Sequence, residues 1–393
     1  MARENPPLFH SLLQQLDTQS LTRRLHTLGS ATGPTIQLAG RTVILLASND
    51  YLGLATHPDV IQAAIQATAQ YGTGAGAARL VCGTLPPHTE LEQALATFKR
   101  TSAALLYGSG YLANLGVIPS LITRGGQIFA DRLCHASLID GARLSRADLR
   151  VYRHRDLNHL ESLLKRTSPG RPVLIVTDGL FSMDGDLAPL PELATLAQRF
   201  GATLYVDDAH GTGVMGQSGR GTLEHFGVED RILFHMGTLG KALGSSGAYI
   251  AGPTDMIQYL VNTSRPFMFT TAPPPASAAA ACAALTVLQQ DPSRRARLWR
   301  NRDHLFAGLT RLGFHLTESA SPILPILIGQ AEKALAFAEQ LLAQGVYAPA
   351  IRPPTVPDGS SRIRVTITAE HSPEQIDLAL SAFERAGRSV RLL

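Results

Sequence analysis

Between Thr84 and Gly252 short apolar runs alternate with stretches of helical period. The runs AALLYG (103–108), QIFAD (127–131), VLIVTD (173–178), TLYVDD (203–208), ILFHM (232–236) and AYIAG (248–252) show no polar alternation. Each is followed by glycine or polar residues. Strands covered on both faces have this signature, because neither face is free to be polar. Helical patterns fill the intervals. In LPELATLAQRFG, residues Leu190, Leu193, Ala194, Ala197 and Phe200 form one apolar stripe, and Gly201 supplies a C-terminal stop. The alternation predicts an α/β chain with an open, mainly parallel sheet and helices on both faces. Ligands of such sheets bind beyond the carboxyl ends of the strands. Attention therefore falls on YGSG, ADRLCH, TDGLFSMDGD, VDDAHGTG and HMGTLGK.

The two ends of the chain read differently. An amphipathic helical pattern from Leu12 to Leu28 carries the paired Arg23 and Arg24. After about Pro292 an arginine-rich helix leads to PILPILIG, the helix EKALAFAEQLLAQG, then VYAPAI and RIRVTIT. The last helix opens at Ser372, with Pro373 at its first position, the usual chemistry of an N-cap. These patterns predict an N-terminal helical arm (1–45), a large domain (46–290) and a smaller α+β C-terminal domain (291–393).

Composition narrows the classes. Of 393 residues, 45% are hydrophobic and 17% charged, the profile of a packed globular protein. The net charge of +4 is spread without a basic tail, so nucleic acid is not an expected partner. The most apolar run, ASAAAACAALTVL (276–288), is too short to span a bilayer and predicts a buried helix, so no membrane partner is expected. Cys82, Cys134 and Cys282 lack CxxC spacing and read as buried thiols in a reducing compartment. The opening MARENPPLFHSLLQQLD lacks the apolar core of a signal peptide, and a cytoplasmic location is expected.

The strand ends carry the chemistry. MGTLGKALGSSG looks like a phosphate loop, but the P-loop's first glycine would fall on His235 and its Ser/Thr on Ala242. Lys241 then needs another task. It lies among small residues that let something bulky approach, and a lysine held there forms an imine with a carbonyl cofactor. Asp207 ends a strand, and a buried carboxylate calls for a positive partner. His210 follows in the turn. Asp207, Asp208 and His210 offer no third protein ligand at useful spacing, so no metal is expected. In YGSGYLANLG the backbone N–H groups from Gly108 to Tyr111 open a helix and suit a phosphate, with Thr238 a further hydroxyl. Taken singly, these features equally suit a turn cap, a loop lysine and a tight turn. Together they match pyridoxal 5′-phosphate (PLP): Lys241 for the aldehyde, Asp207 for the ring nitrogen, His210 for the phenolic oxygen and His135 stacked on the ring.

SNDYLGLATHP, DRLCHASLIDG, TDGLFSMDGDLAPL, VDDAHGTGVMGQSGRG and TLGKALGSSG resemble the PLP-dependent α-oxoamine synthases of fold type I. The resemblance runs from about Arg23 to the final helix. It implies a mainly parallel seven-stranded sheet in the large domain, with a smaller α+β C-terminal domain. It also implies the roles of individual residues. Lys241 holds the cofactor, Asp207 the pyridine nitrogen and His135 the ring face. His210 and Ser182 lie near the phenolic oxygen, and Gly110, Tyr111 and Thr238 on the phosphate side. Thr270 and Thr271 resemble residues that reach the phosphate from a second subunit, so a homodimer with shared active sites is implied. Asn49 and Arg364 match positions that hold an amino-acid carboxylate, and Arg23 and Thr355 positions that meet an acyl substrate. The segment AIRPPTVPDGSSRIRVT is most similar to the branch that serves biotin biosynthesis. Its substrates would be L-alanine and a pimeloyl thioester of CoA or an acyl carrier protein. Glycine-using members such as 2-amino-3-ketobutyrate CoA ligase or 5-aminolevulinate synthase stay open, as does a PLP aminotransferase.

Overall fold

The computed structural model describes residues 7–23 and 25–393. In chain order its strands are β1 (Thr35–Leu38), β2 (Arg41–Leu45), β3 (Ala103–Tyr107), β4 (Gln127–Asp131), β5 (Asp148–Tyr152), β6 (Val173–Asp178) and β7 (Thr203–Asp207). There follow β8 (Phe234–Thr238), β9 (Ala248–Gly252), β10 (Ile323–Gly329), β11 (Val346–Tyr347), β12 (Ala350–Ile351) and β13 (Ser361–Thr366). The chain forms two compact units. One gathers the described residues up to Ser48 with Met183–Gly185 and Trp299–Leu393; the other consists of Asn49–Ser182 and Asp186–Leu298.

The larger unit holds a seven-stranded sheet in the order β3-β9-β8-β7-β6-β4-β5. From β5 to β8 the neighbours are parallel, while β9 is antiparallel to both β8 and β3. Every residue of β4, β6, β8 and β9 is buried. Successive side chains point to opposite faces, and both faces meet apolar layers. Ile128, Leu174, Val176 and Tyr205 pack on one side with Val117 and Leu138. Phe129, Ile175 and Val206 pack on the other with Leu193 and Ala197. Burying such a side chain contributes about 1.5–3 kcal/mol. The absence of polar alternation in the sequence follows directly.

Two strands differ from the sequence reading. β5 lies at the sheet edge with Asp148 and Val151 exposed, so its segment has no apolar run to read. β8 begins at Phe234, two residues later than expected, and runs through Gly237 to Thr238. A Cβ on Gly237 would meet Tyr249 Oη at 2.4 Å, so close strand packing requires a residue that otherwise signals a strand end. The alanine-rich run forms the helix Pro275–Gln290, with Ala281, Ala284 and Leu285 in the core. Cys82 is exposed and Cys134 and Cys282 half-buried, against the expected buried thiols. Cys82 lies in a short π-helical turn, Arg79–Gly83, whose Leu80 and Val81 also face solvent.

In the smaller unit β1 and β2 form an antiparallel pair that β11 extends in parallel. A second sheet has the order β10-β13-β12. The N-terminal segment is thus only partly helical. Its helix, Pro7–Thr18, ends ten residues before the predicted end at Leu28, and Ser20 takes a left-handed φ of 55°. The Arg352 guanidinium donates to the carbonyls of Ser20 and Thr22, an arrangement that ties down the backbone beyond the helix. Arg24 lies outside the described residues. Phe314, Phe337 and Phe383 pack ring against ring at centroid distances of 5.6–6.0 Å beneath the last helix, Pro373–Ser389. Among the described residues no helix is long and apolar enough to cross a membrane.

The last helix opens as expected: Ser372 Oγ accepts the Gln375 N–H while the Gln375 side chain accepts from Ser372 N–H. Ser372→Ala is expected to destabilise this helix by about 1 kcal/mol. Hydrogen exchange at the Gln375 amide measures it, and unchanged protection would contradict the capping role.

Candidate active site

Strand register brings the chemistry together. Asp178 pairs with Asp207, and Asp207 with Met236, so the carboxyl ends of β6, β7 and β8 lie side by side. On the other side Thr238 pairs with Ala248, which pairs with Tyr107 at the end of β3. The turn after β3 therefore lies beside Thr238. It leads into the helix Gly110–Leu121, whose first N–H groups belong to the Gly-rich stretch and whose N-cap is Ser109.

Asp207 is 4% exposed. Its Oδ1 accepts the Ala209 N–H at 3.0 Å, and its Oδ2 accepts the Asn114 side-chain amide at 2.7 Å. The same amide donates to Ser137 Oγ at 2.8 Å, and the Tyr205 hydroxyl donates to Asn114 Oδ1 at 2.8 Å. The amide is thus held at both ends and aims the carboxylate. Asp178, next to it, accepts the His135 backbone N–H at 2.8 Å. Burial first, and then the Asp207 charge, push the Asp178 carboxyl well above the usual range, while the His135 N–H and Lys241 oppose. Two carboxyls side by side at low dielectric do not both ionise easily.

His135 caps the helix Ala136–Ser145. Its Nδ1 accepts the Ser137 N–H at 3.3 Å and lies 2.7 Å from Ser137 Oγ. The backbone donor makes Nδ1 an acceptor, which leaves the ring proton on Nε2. Surrounding protein lowers the His135 pKa; Asp207 raises it, Lys241 lowers it and Asp140 raises it, and the net direction is down. The imidazole is therefore neutral at neutral pH. His210, 8% exposed, has Nδ1 2.8 Å from the Tyr51 hydroxyl, which itself donates to Asn49 Oδ1 at 3.4 Å. Thr238 Oγ1 donates to the Ala209 carbonyl at 3.3 Å. The turn after β7 is thus tied to both β8 and the residues around Asn49.

Lys241 is half-buried in a loop that folds on itself: Gly244 N–H donates to the Lys241 carbonyl, and Ser245 N–H to that of Leu239. Gly244 has a φ of 59°, and a Cβ there would meet Ala55 N at 2.2 Å. This glycine serves the loop's own packing rather than an open approach to the lysine, which departs from the sequence reading. Gly110 is different: its missing Cβ would meet Thr238 Cγ2 at 2.7 Å, so the helix N-terminus comes down onto Thr238.

Ser182 lies in a loop closed by the Leu180–Leu187 bridge. His154 secures its base, with Asp131 at 2.8 Å, Asp186 at 2.9 Å and the Phe181 ring at a centroid distance of 4.5 Å. Burial opposes the charged form of His154, but the two carboxylates lift its pKa to about 9. Tyr111 is exposed and donates its hydroxyl to Asp140. Thr270 and Thr271 are exposed; Thr270 donates to the Pro266 carbonyl and Thr271 bridges to Ala78, so neither bonds to the residues around Asp207 through these contacts. In the smaller unit Arg23 and Thr355 line one cavity of about 860 Å³, with Leu335, Leu342 and Tyr347 among its walls. Arg23 donates to the Pro353 carbonyl at 3.2 Å. Arg364, 7% exposed, lies on β13 opposite Pro325.

Does this set fit PLP? Asp207 is a buried carboxylate held by two neutral donors, the Asn114 amide and the Ala209 N–H, which suits a protonated ring nitrogen. The helix N-terminus at Gly110 meets Thr238 as a phosphate cradle requires. Lys241 and His135 lie close enough for the charge of one to shift the other. The residues fit. Among the described residues no group of histidine, cysteine and acidic side chains is arranged to hold a metal ion.

A model of the aminotransferase class I and II family matches residues 41–383. The chain belongs to that family. It is 52% identical over 370 residues to the 8-amino-7-oxononanoate synthase of Anaeromyxobacter dehalogenans (strain 2CP-1), covering 94% of this chain and 93% of that one. It is 49% identical over 383 residues to the enzyme of that name from Geobacter sulfurreducens, covering 97% and 98%. Serine palmitoyltransferase from S. paucimobilis, solved with a bound PLP–myriocin aldimine, superposes with a TM-score of 0.94 at 34% identity, covering 98% of each chain. The sequence reading missed Asn114, Asp178, Tyr51 and Ser137, which hydrogen bonds tie to the residues around Asp207. Asn114 carried a signal, an amide in a largely apolar helix four residues after Gly110. Tyr51 and Ser137 lie inside the motifs SNDYLGLATHP and DRLCHASLIDG, but only tertiary packing brings them to their partners.

The electrostatics of His135 are testable by NMR titration of the apo-protein. Its pKa should lie below the ordinary 6.5. Lys241→Ala removes a positive neighbour and should raise it; Asp207→Asn removes a negative one and should lower it. A pKa above the ordinary value, or shifts of opposite sign, would contradict this geometry.

Proposed function

We propose that the chain is a PLP-dependent acyltransferase that condenses L-alanine with a pimeloyl thioester. The products are 8-amino-7-oxononanoate, CO2 and a free thiol, a step of biotin biosynthesis. The observation that supports the reading is that Asp207 and Lys241 lie close enough to His135 for their charges to shift it, in a chain about half identical to synthases of that name along nearly its whole length.

PLP, when bound, supplies an electron sink for the charge that develops at the amino acid's Cα. The rest is the work of side chains. Lys241 anchors the aldehyde, then as a free amine takes and returns the proton at Cα. Asp207, fixed by Asn114 and Ala209, keeps a proton on the pyridine nitrogen. Neutral His135 would cover the ring face, and its Nε2–H would be free to donate to an oxyanion at the thioester carbonyl. His210 and Ser182 hold the phenolic oxygen. Gly110, Tyr111 and Thr238 hold the phosphate, joined by Thr270 and Thr271 of a second copy in a homodimer. Asn49 and Arg364 take the amino-acid carboxylate, for which a planar guanidinium is suited. The cavity shared by Arg23 and Thr355 takes part of the acyl substrate. The acyl carrier is CoA or an acyl carrier protein, and the location cytoplasmic.

A second reading has one observation in its favour. The close superposition on serine palmitoyltransferase favours serine as the amino acid. Thiol release with alanine, serine and glycine in turn, each with pimeloyl-CoA, separates these readings. Alanine is expected to give the fastest release; serine or glycine ahead of it would overturn the assignment, and turnover without thiol release would indicate a transaminase. In the same assay Lys241→Ala should lose the visible cofactor band and all turnover. Asp207→Asn should keep the cofactor but lose about 10²-fold or more in kcat, and a near-normal kcat would contradict its role.

A further inference from the structure

Directly behind Asp207 lies a second charged group. Lys99 ends the helix Pro86–Lys99 and is 3% exposed, and Asp208 is 1% exposed. Lys99 Nζ donates to Thr212 Oγ1 at 3.3 Å and to the Arg220 carbonyl, lies 3.9 Å from Asp208 Oδ2, and sits 5.7 Å from the centre of the Tyr249 ring. Thr222 donates to both oxygens of Asp208, from its N–H at 2.9 Å and its hydroxyl at 2.7 Å. Glycines make room for this carboxylate. A Cβ on Gly179, Gly211 or Gly221 would lie 3.0, 2.0 or 1.7 Å from an Asp208 oxygen. The site is therefore shaped to a carboxylate.

Burying a lysine and an aspartate together is not an efficient route to stability, because apolar residues of similar volume do as well or better. What a hydrogen-bonded pair adds is a fixed orientation. Asp207 and Asp208 are consecutive, and their carboxylates take different partners, Asn114 for the first and Thr222 for the second. The turn that follows is hung from Asp208, whose carbonyl accepts the Thr212 N–H at 3.0 Å. Ala209 lies inside it; its N–H donates to Asp207 Oδ1 and its carbonyl accepts from Thr238 Oγ1. His210, next in the turn, meets Tyr51.

We propose that the buried pair Lys99–Asp208 is a positioning element of the cofactor site: it sets the turn 208–213 and, through Ala209, aims the Asp207 carboxylate and seats Thr238 and His210. The inference rests on the proposed role of Asp207 at the pyridine nitrogen. Lys99 is a positioning residue and does not itself meet the cofactor.

The test uses Lys99→Met, which keeps the side chain's bulk and removes its charge, with three readouts: PLP affinity by equilibrium titration, hydrogen exchange at the Ala209 amide, and kcat against KM. The variant is expected to bind PLP about 10-fold more weakly, to lose protection at Ala209, and to lose about 10–100-fold in kcat. KM for the thioester should stay within about 2-fold. Coupling through Asp207 further requires that Lys99→Met change kcat little in an Asp207→Asn background. A folded Lys99→Met protein with wild-type PLP affinity and a protected Ala209 amide would overturn the proposal, as would losses that simply multiply in the double variant. Should Lys99→Met fail to fold, Thr222→Val removes one hydrogen bond from Asp208, and the same changes are expected at about 3–10-fold; wild-type values there overturn it equally. If instead Asp207→Asn alone leaves PLP affinity and kcat intact, the reading of Asp207 fails, and exchange at Ala209 still decides whether Lys99 sets the turn.

Discussion

The buried carboxylate of Asp207 is the constraint on which the rest of the site depends. It stands at the end of β7, shielded from water and held by two neutral donors. A charge in that position is costly unless a cation faces it. The parallel sheet provides the position, since register alone sets Asp178 and Met236 beside it and the helix N-terminus at Gly110 nearby. Each neighbour is then explained by what it does to that charge. Asn114 and Ala209 aim it, Asp178 stands beside it with a raised pKa, and His135 responds to it.

The same arrangement explains why the protein can afford so polar a centre inside so apolar a sheet. Both faces of β4, β6 and β7 are filled mainly with aliphatic and aromatic side chains. Polarity begins where the strands end, at Asp131, Asp178 and Asp207, and it comes with its donors attached. His154 does for Asp131 and Asp186 what Asn114 does for Asp207, and Lys99 and Thr222 do it for Asp208. With Asp178 accepting the His135 N–H, each of these carboxylates is thus matched by a partner brought from a different element.

Much of this was legible in the sequence, for reasons that differ by element. The central strands were readable because burial on both faces writes an unbroken apolar run; β5 was not, because an edge strand keeps polar positions. β8 was misplaced by two residues because Gly237, needed for contact with Tyr249, reads as a strand end. The N-terminal helix was overdrawn because the pattern beyond Thr18 is amphipathic, while the clamp by Arg352 comes from more than 300 residues away in the chain. Lys241, Asp207 and His135 stood out only in combination, because together they supply the parts that one cofactor needs. Lys99 did not, since it acts through contacts that only the folded chain creates. The roles of the individual site residues come from that mixture of geometry and resemblance, with Lys241 as their centre.

Borohydride reduction of the purified protein, followed by peptide mapping, tests that centre most directly. The account predicts a stable pyridoxyl group on the peptide that contains Lys241 and on no other lysine. A pyridoxyl group on another lysine, or none on a protein that retains its thiol-releasing activity, would contradict it.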